Sequence, residues 1–337
     1  MKKKVLVLGG TGAMGVYLVP ELIRMGYKVD VVSFDAVESA NPDLRYFQAK
    51  DAKDPAYIAE ILKNDYDGIV DFMIYGTEEF KQKHSLLLSN TGHYIYLSSY
   101  RVYGNEEHPI RETSPRLLDC SKDTEFLTTD DYSLHKARGE ETLKASAFTN
   151  WTAIRPAITY SKRRFQLVIL EANTLIPRIR AGKTVLLPRE AMDVQATMSW
   201  GGDVAKMIAR LLFNPAAYRD VFSVCTAEHN PWRYVADCYR KFAGLKYETV
   251  DKETFLSFFT ADHSINKWSR WQLEYDRLFD RVMDNSKILN ITGLKQSELM
   301  PLYDGLKREF DALPEGNVFQ PYQVICDNMD AYLAGQA

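Results

Sequence analysis

The sequence predicts a doubly wound α/β fold, a parallel sheet covered on both faces, with a smaller, mostly helical C-terminal substrate domain. Three observations carry that prediction. A glycine-rich turn, Gly9-Gly10-Thr11-Gly12-Ala13-Met14-Gly15, joins a short apolar strand to a helix. Apolar strand runs then alternate with helical periodicity through the first half of the chain. Finally, Tyr132 and Lys136, four residues and so about one helical turn apart, follow the pair Ser98-Ser99.

Each element has its own signal. Residues 5–8 are a continuous β-rich run stopped by glycine, the mark of a buried strand. Met14, Leu18, Leu22 and Met25 repeat at helical spacing and close at Gly26. Residues 29–34, 46–49, 68–74, 93–97 and 152–154 read as further strands, with helices around Ile58, Ile61 and Leu62 and around Leu86, Leu87 and Leu88. Residues 203–213 read as a helix returning to the sheet, and 221–224 as a late strand. From about 226 the chain turns helical and rich in Trp, Tyr and Phe. The expected division is a Rossmann-type dinucleotide domain, 1–160 plus about 196–225, and a substrate-binding domain, about 161–195 and 226–337.

Composition narrows the classes. The 337 residues are 46% apolar and 26% charged with a formal charge of −3, a balance that leaves no electrostatic footprint for nucleic acid. Cys120, Cys225, Cys238 and Cys326 lack metal-ligand spacing, so no metal is expected. The N-terminal apolar run is too short for a signal peptide, and no segment reaches the ~18 uncharged residues of a membrane span. The expectation is a cytoplasmic protein with a small-molecule substrate and neither membrane nor nucleic acid as partner.

The glycine turn satisfies both Gly-x-Gly-x-x-Gly and Gly-x-x-Gly-x-x-Gly. Glycines allow close backbone approach, and the helix N-terminus directs amide groups at a pyrophosphate. Gly9, Thr11, Gly12, Ala13, Met14 and Gly15 are therefore the expected cofactor contacts. The acid that would hold the adenosine ribose is less clear: Ser33 occupies the strand tip and Asp35 lies just beyond. A serine tolerates a 2′-phosphate, yet Phe34 and not an arginine follows it, which favours NAD over NADP. Asp51 is a candidate for the adenine amino group or a plain helix N-terminal acid. Met73, in the fourth strand, completes this set.

Tyr132 supplies the acid–base chemistry. A phenol titrates near 10, so work at neutral pH needs a neighbouring cation, and Lys136 is one turn away to favour the phenolate. Ser99, at a strand's carboxyl end, can hydrogen-bond a substrate oxygen.

These residues resemble the short-chain dehydrogenase/reductase superfamily in its extended, NAD-dependent epimerase/dehydratase-like branch. The matches are Gly9-x-x-Gly12-x-x-Gly15, Ser99-Tyr100-Arg101-Val102-Tyr103-Gly104 and Tyr132-x-x-x-Lys136, with looser ones at Arg155-Pro156, Asp203-Val204-Ala205 and Asp284-Asn285-Ser286-Lys287. The resemblance implies that Tyr132 is the acid/base, Lys136 the ribose-holding and phenol-tuning cation, Ser99 the oxygen-polarising hydroxyl, and Pro156 a cofactor contact. It also implies a homodimer formed through the helices carrying residues 86–88 and 132–143.

Three departures mark an atypical member. Tyr100-Arg101 stand where dehydratases carry Asp-Glu, which argues against 4,6-dehydration and leaves Arg101 to clamp an anionic substrate group. Residues 195–200 hold no arginine for a substrate diphosphate; Arg164 or Arg277 could compensate. The ribose-acid position is serine. The leading expectation is an NAD(P)-dependent sugar epimerase, with a nucleotide sugar as substrate. The alternatives are an NAD(P)H-dependent reductase or dehydrogenase of a small carbonyl compound, and a non-catalytic cofactor-sensing or RNA-binding protein on the same scaffold.

Overall fold

A computed structural model describes residues 2–316 and 318–335. Met1, Asn317, Gln336 and Ala337, all inside the expected domains, lie outside the described residues. The chain divides into two compact units, one comprising 1–159, 201–226 and 284–299, the other 160–200, 227–283 and 300–337. The segment 284–299, expected in the substrate domain, belongs to the first unit. Ile288, Leu294 and Leu299 are buried in its core, a periodic signal too short to place by sequence. Residues 196–200, expected in the first, belong to the second.

The first unit is a seven-stranded parallel sheet. Its elements are β1 (Lys4–Leu8), α1 (Gly15–Arg24), β2 (Lys28–Ser33), β3 (Leu44–Gln48), α2 (Pro55–Leu62), β4 (Tyr66–Asp71), α3 (Thr77–Ser89), β5 (Thr91–Leu97), α4 (Tyr132–Ala145), β6 (Trp151–Ile154), α5 (Gly201–Leu211), β7 (Asp220–Phe222) and α6 (Ser286–Thr292). The strand order is β7-β6-β5-β4-β1-β2-β3. The order in which strands are added therefore reverses between the parallel strands β1 and β4, where Val5 stands opposite Gly68 and Leu8 opposite Asp71. Ligands on such sheets bind at this switch point, beyond the strands' carboxyl ends.

Both sheet faces are covered, and the strand sequences show why. In β1, Val5 and Val7 point into one core with α1, α5 and α6, while Leu6 and Leu8 point into the other with α2 and α3. A run apolar at every position is thus a strand buried twice.

In the second unit, Thr184–Pro188 pairs in parallel with Lys246–Val250. Helix Ala172–Arg180 packs against the first of these strands and against Gln323–Leu333, and Trp232–Ala243 packs against Leu302–Asp311. Among the described residues no helix is long and apolar enough to cross a membrane.

Candidate functional site

At the switch point the glycine turn is built to be approached. Gly9 has φ +76°, a conformation that L side chains disfavour. A Cβ on Gly15 would lie 2.3 Å from the Gly10 carbonyl oxygen, so α1 can begin here only on a glycine. A Cβ on Gly12 would meet nothing nearer than the Gly9 carbonyl at 3.3 Å. Among the described residues no side chain caps α1; the Val16 and Tyr17 amides donate to the Gly12 and Met14 carbonyls, so the amides just before them, at residues 13–15, are those placed to meet an anion. Thr11, Ala13 and Met14 are half-buried around the turn.

Beside it, at the tip of β2, the Ser33 hydroxyl donates to the Asp35 carbonyl at 3.0 Å, and Phe34 is 67% exposed. A cleft of about 740 Å³ runs from Phe34 past Asp51 and Lys53 to Phe72, Met73 and Ile74. Asp54, not Asp51, caps α2 by accepting from the Ala56 amide at 3.0 Å, so capping does not account for Asp51.

Helix α4 begins at Tyr132 because Asp131 caps it, accepting from Ser133 N at 2.9 Å and Ser133 Oγ at 2.7 Å. Tyr132, Lys136 and Glu140 then fall one turn apart along one stripe. The Lys136 ammonium lies 5.7 Å from the Tyr132 ring and 5.3 Å from the Tyr96 ring. It is fully buried, and its hydrogen bond is a long one, 3.5 Å, to the Met73 carbonyl. Burial pulls the Lys136 amine down to about 7; Asp71 opposes this and Lys53 adds to it.

Ser99 sits on the opposite wall. The chain leaves β5 through Ser98, whose amide donates to the Ile154 carbonyl at 2.8 Å, and Ser99 then caps a single turn by accepting from Arg101 N at 3.2 Å. Tyr100 N donates to the Pro156 carbonyl at 3.1 Å, tying this turn to the end of β6. The Arg101 guanidinium extends over the Tyr132 ring at 5.1 Å and lies 3.9 Å from Asp131. On another side, the His135 ring meets Tyr132 edge-on at 5.3 Å. Burial drops His135 to about 4, so it is neutral at pH 7, and its buried Nδ1 has no hydrogen-bond partner among the described residues.

Under this surface a buried ion pair locks the two walls together. Glu140 accepts from Arg155 through both oxygens, Nε at 2.7 Å, and also from the Ser98 hydroxyl. Burial pushes the Glu140 carboxyl up, but Arg155, Ser98 and Arg116 outweigh it and leave the group below the usual range.

Contacts thus run from the Ser99 turn through Arg101 to Tyr132, and from Tyr132 through Lys136 and Met73 to Gly9 of the glycine turn. Two expected substrate cations are placed otherwise. Arg277 is 2% exposed, pairs with Asp276, and donates to the Val168 carbonyl at 2.8 Å and to Gln166 at 3.2 Å. Those bonds make Arg277 a structural cation of the second unit, not a substrate clamp. Arg164 is half-exposed at a turn, 3.7 Å from Glu171.

Sequence reading missed Asp71, Glu140, Arg155 as a partner of that carboxylate, and His135. For Glu140 the signal was present: it continues the four-residue spacing of Tyr132 and Lys136.

This architecture is that of a dinucleotide-dependent enzyme fold, and the chain belongs to the NAD dependent epimerase/dehydratase family, whose model matches residues 5–225. The structure is similar to the Bordetella bronchiseptica enzyme WbmH in complex with NAD+ (TM-score 0.65, 15% identity, 93% of this chain and 99% of that one). It is also similar to UDP-glucuronic acid 4-epimerase from Bacillus cereus (TM-score 0.66, 15% identity, 91% of this chain and 98% of that one). In sequence, the chain is 26% identical over 259 residues to the chloroplast stem-loop binding protein of 41 kDa b from Arabidopsis thaliana, covering 72% of this chain. It spans 64% of that relative's length.

The residues present fit a dinucleotide. The glycine cradle has no room for side chains at Gly10 and Gly15, the N-terminus of α1 lacks a side-chain cap, and the Lys136 amine is buried with hydrogen-bonding capacity in hand. Gly9, Thr11, Gly12, Ala13, Met14 and Gly15 would hold the pyrophosphate, and Asp51 and Met73 line the cleft beside it.

Proposed function

We propose that the protein is an NAD-dependent epimerase acting on a sugar, with a nucleotide sugar as the substrate class. The single observation that carries this is the approach of two basic side chains, Arg101 and Lys136, to the Tyr132 ring, with Lys136 bonded to Met73 beside Gly9 of the glycine turn. Tyr132 accepts the proton of a substrate hydroxyl as the carbon below it is oxidised, and returns it after the sugar turns over. Ser99 holds and polarises the same oxygen. Bound NAD supplies the site with a hydride acceptor that later returns the hydride. Lys136 anchors the ribose, and Arg101 is placed to meet an anionic group on the substrate.

NAD is favoured over NADP at the β2 tip. Ser33 turns its hydroxyl to a backbone carbonyl, and Phe34 stands where an arginine would be needed. The cleft lysines Lys53 and Lys83 both engage Glu79, at 3.5 and 2.6 Å. The test is proton NMR of UDP-glucose and UDP-glucuronic acid incubated with the protein. Inversion at one sugar carbon without net NADH formation is expected for either substrate. Net oxidation or reduction would instead favour the dehydrogenase reading.

A second reading, RNA binding on this scaffold, is favoured by the similarity to the stem-loop binding protein. The net charge of −3 weighs against it. Tight binding of a stem-loop RNA at physiological salt, unaffected by Tyr132→Phe, would establish that reading in place of the first.

A further inference from the structure

Beside the carbonyl that receives Lys136 lies a buried acidic group that the proposed chemistry does not use. Asp71 ends β4, is 1% exposed, and faces no solvent. One carboxylate oxygen accepts from the Met73 amide at 2.9 Å; the other accepts from the Tyr94 hydroxyl at 2.8 Å and the Tyr75 hydroxyl at 3.0 Å. Burial pushes the Asp71 carboxyl up, and the Met73 amide, the two tyrosine hydroxyls and Lys136 work against it by favouring the acceptor-only carboxylate. An isolated buried charge is costly, so such a group persists where it is hydrogen-bonded and opposed by a cation.

The opposing cation is Lys136. Its ammonium donates to the carbonyl of Met73, the same residue whose amide Asp71 holds. The geometry points to Asp71 as a positioning residue for Lys136: it fixes the 71–73 turn whose Met73 carbonyl receives the ammonium, and supplies a buried acidic group to oppose the charge of the lysine. The inference deepens the reading above, since Lys136 acts in that chemistry only with a dinucleotide beside it.

The surroundings assign this role to Asp71 and to no other carboxylate. From β5, Tyr94 and Tyr96 face the pair; from α4 itself come Tyr132 and His135; from the α2 approach comes Lys53, a like charge. Arg101 lies beyond Tyr132, a second like charge. Lys83 and Glu79 of α3 lie behind Tyr75, paired with each other. Glu140, one turn along α4, is committed to Arg155 and Ser98. Asp71 is thus the carboxylate that pulls the Lys136 amine upward, against burial and Lys53.

The test titrates Lys136 directly. Protein carrying 13Cε-lysine, with the Lys136 signal assigned from Lys136→Met, is followed by NMR across pH 5–10 in wild type and Asp71→Asn. The asparagine keeps the shape and loses the charge. The titration midpoint of Lys136 is expected to fall by about one unit or more. NADH affinity, read by fluorescence, is expected to weaken about tenfold at pH 8 and within about twofold at pH 6, as follows from a one-unit shift. A merely structural Asp71 would weaken binding equally at both pH values.

Should Asp71→Asn fail to fold, the double variant Tyr75→Phe/Tyr94→Phe removes two donors from the carboxylate and favours its protonation. It is expected to shift Lys136 in the same direction. An unchanged Lys136 midpoint in either folded variant overturns the inference. Absence of NADH binding by the wild type overturns the functional reading instead, and the ligand-free titration still decides the role of Asp71.

Discussion

Glu140 and Arg155 form a fully buried two-point ion pair that ties helix α4 to the end of strand β6, with the Ser98 hydroxyl closing on the same carboxylate. Because Ser98 precedes Ser99 and Glu140 shares a helix with Tyr132 and Lys136, one carboxylate sets the spacing between the two walls of the site. Arg116 adds a longer contact at 3.4 Å.

Glu140→Gln is therefore expected to destabilise the protein by about 3–5 kcal/mol, since it leaves the Arg155 charge buried without its partner. The check is urea unfolding at pH 7. A loss under about 1 kcal/mol would show that the pair does not carry the packing of α4 against β6.

Tyr132→Phe removes the proton acceptor and little else, because the ring contacts with Arg101, Lys136 and His135 remain. Turnover is expected to drop by about 10²–10⁴-fold while NADH binding stays within a few fold. Parallel loss of binding and turnover would move Tyr132 from chemistry to architecture.

Gly15→Ala places a methyl 2.3 Å from the Gly10 carbonyl, a backbone contact that cannot yield without moving the start of α1. NADH binding is expected to disappear. Gly26→Ala, where φ is +89° but no atom lies within 4 Å, should be strained locally and still bind. Equal NADH affinities for Gly15→Ala and wild type would remove the glycine turn from the cofactor site.

Two buried histidines predict how stability depends on pH. Burial, helped by Lys3, pulls His93 down to about 3; its Nδ1 accepts from the Phe213 amide at 2.8 Å, which fixes the neutral form. Burial also pulls His135 to about 4, with Lys136 adding to it. In each case the folded value lies below the unfolded one. The contribution is then complete above about pH 6.5 and is lost as pH falls toward the folded value. As pH falls from 6.5 to 5 the cost of each histidine steepens from about 0.7 toward about 1.4 kcal/mol per pH unit. His135→Ala should flatten the slope of unfolding free energy by one such increment; an unaltered slope would mean that His135 is not buried neutral.

The sheet was legible because each strand is a compact apolar run and the helices have their own period. The glycine turn and the Tyr132–Lys136 spacing are local patterns, so they too could be read directly. What could not be read were partnerships across the fold. Asp71 looks like an ordinary polar stop to a strand, and only strand order brings Tyr94 and the turn at Met73 to it. Arg277 resembles Arg101 in sequence, yet burial beside Asp276 separates their roles. Residues 284–299 return to the first unit through Ile288, Leu294 and Leu299 in its core and through Lys287, which donates to Asp220 and to the Val221 carbonyl, partnerships that no local pattern announces.

The most direct measurement is the identity and stoichiometry of the nucleotide that heat releases from the purified protein, read by mass spectrometry. The account predicts NAD or NADH, lacking the additional 2′-phosphate, approaching one per chain, and its loss in Gly15→Ala. A protein that yields no dinucleotide and binds neither NADH nor NADPH on titration would contradict it.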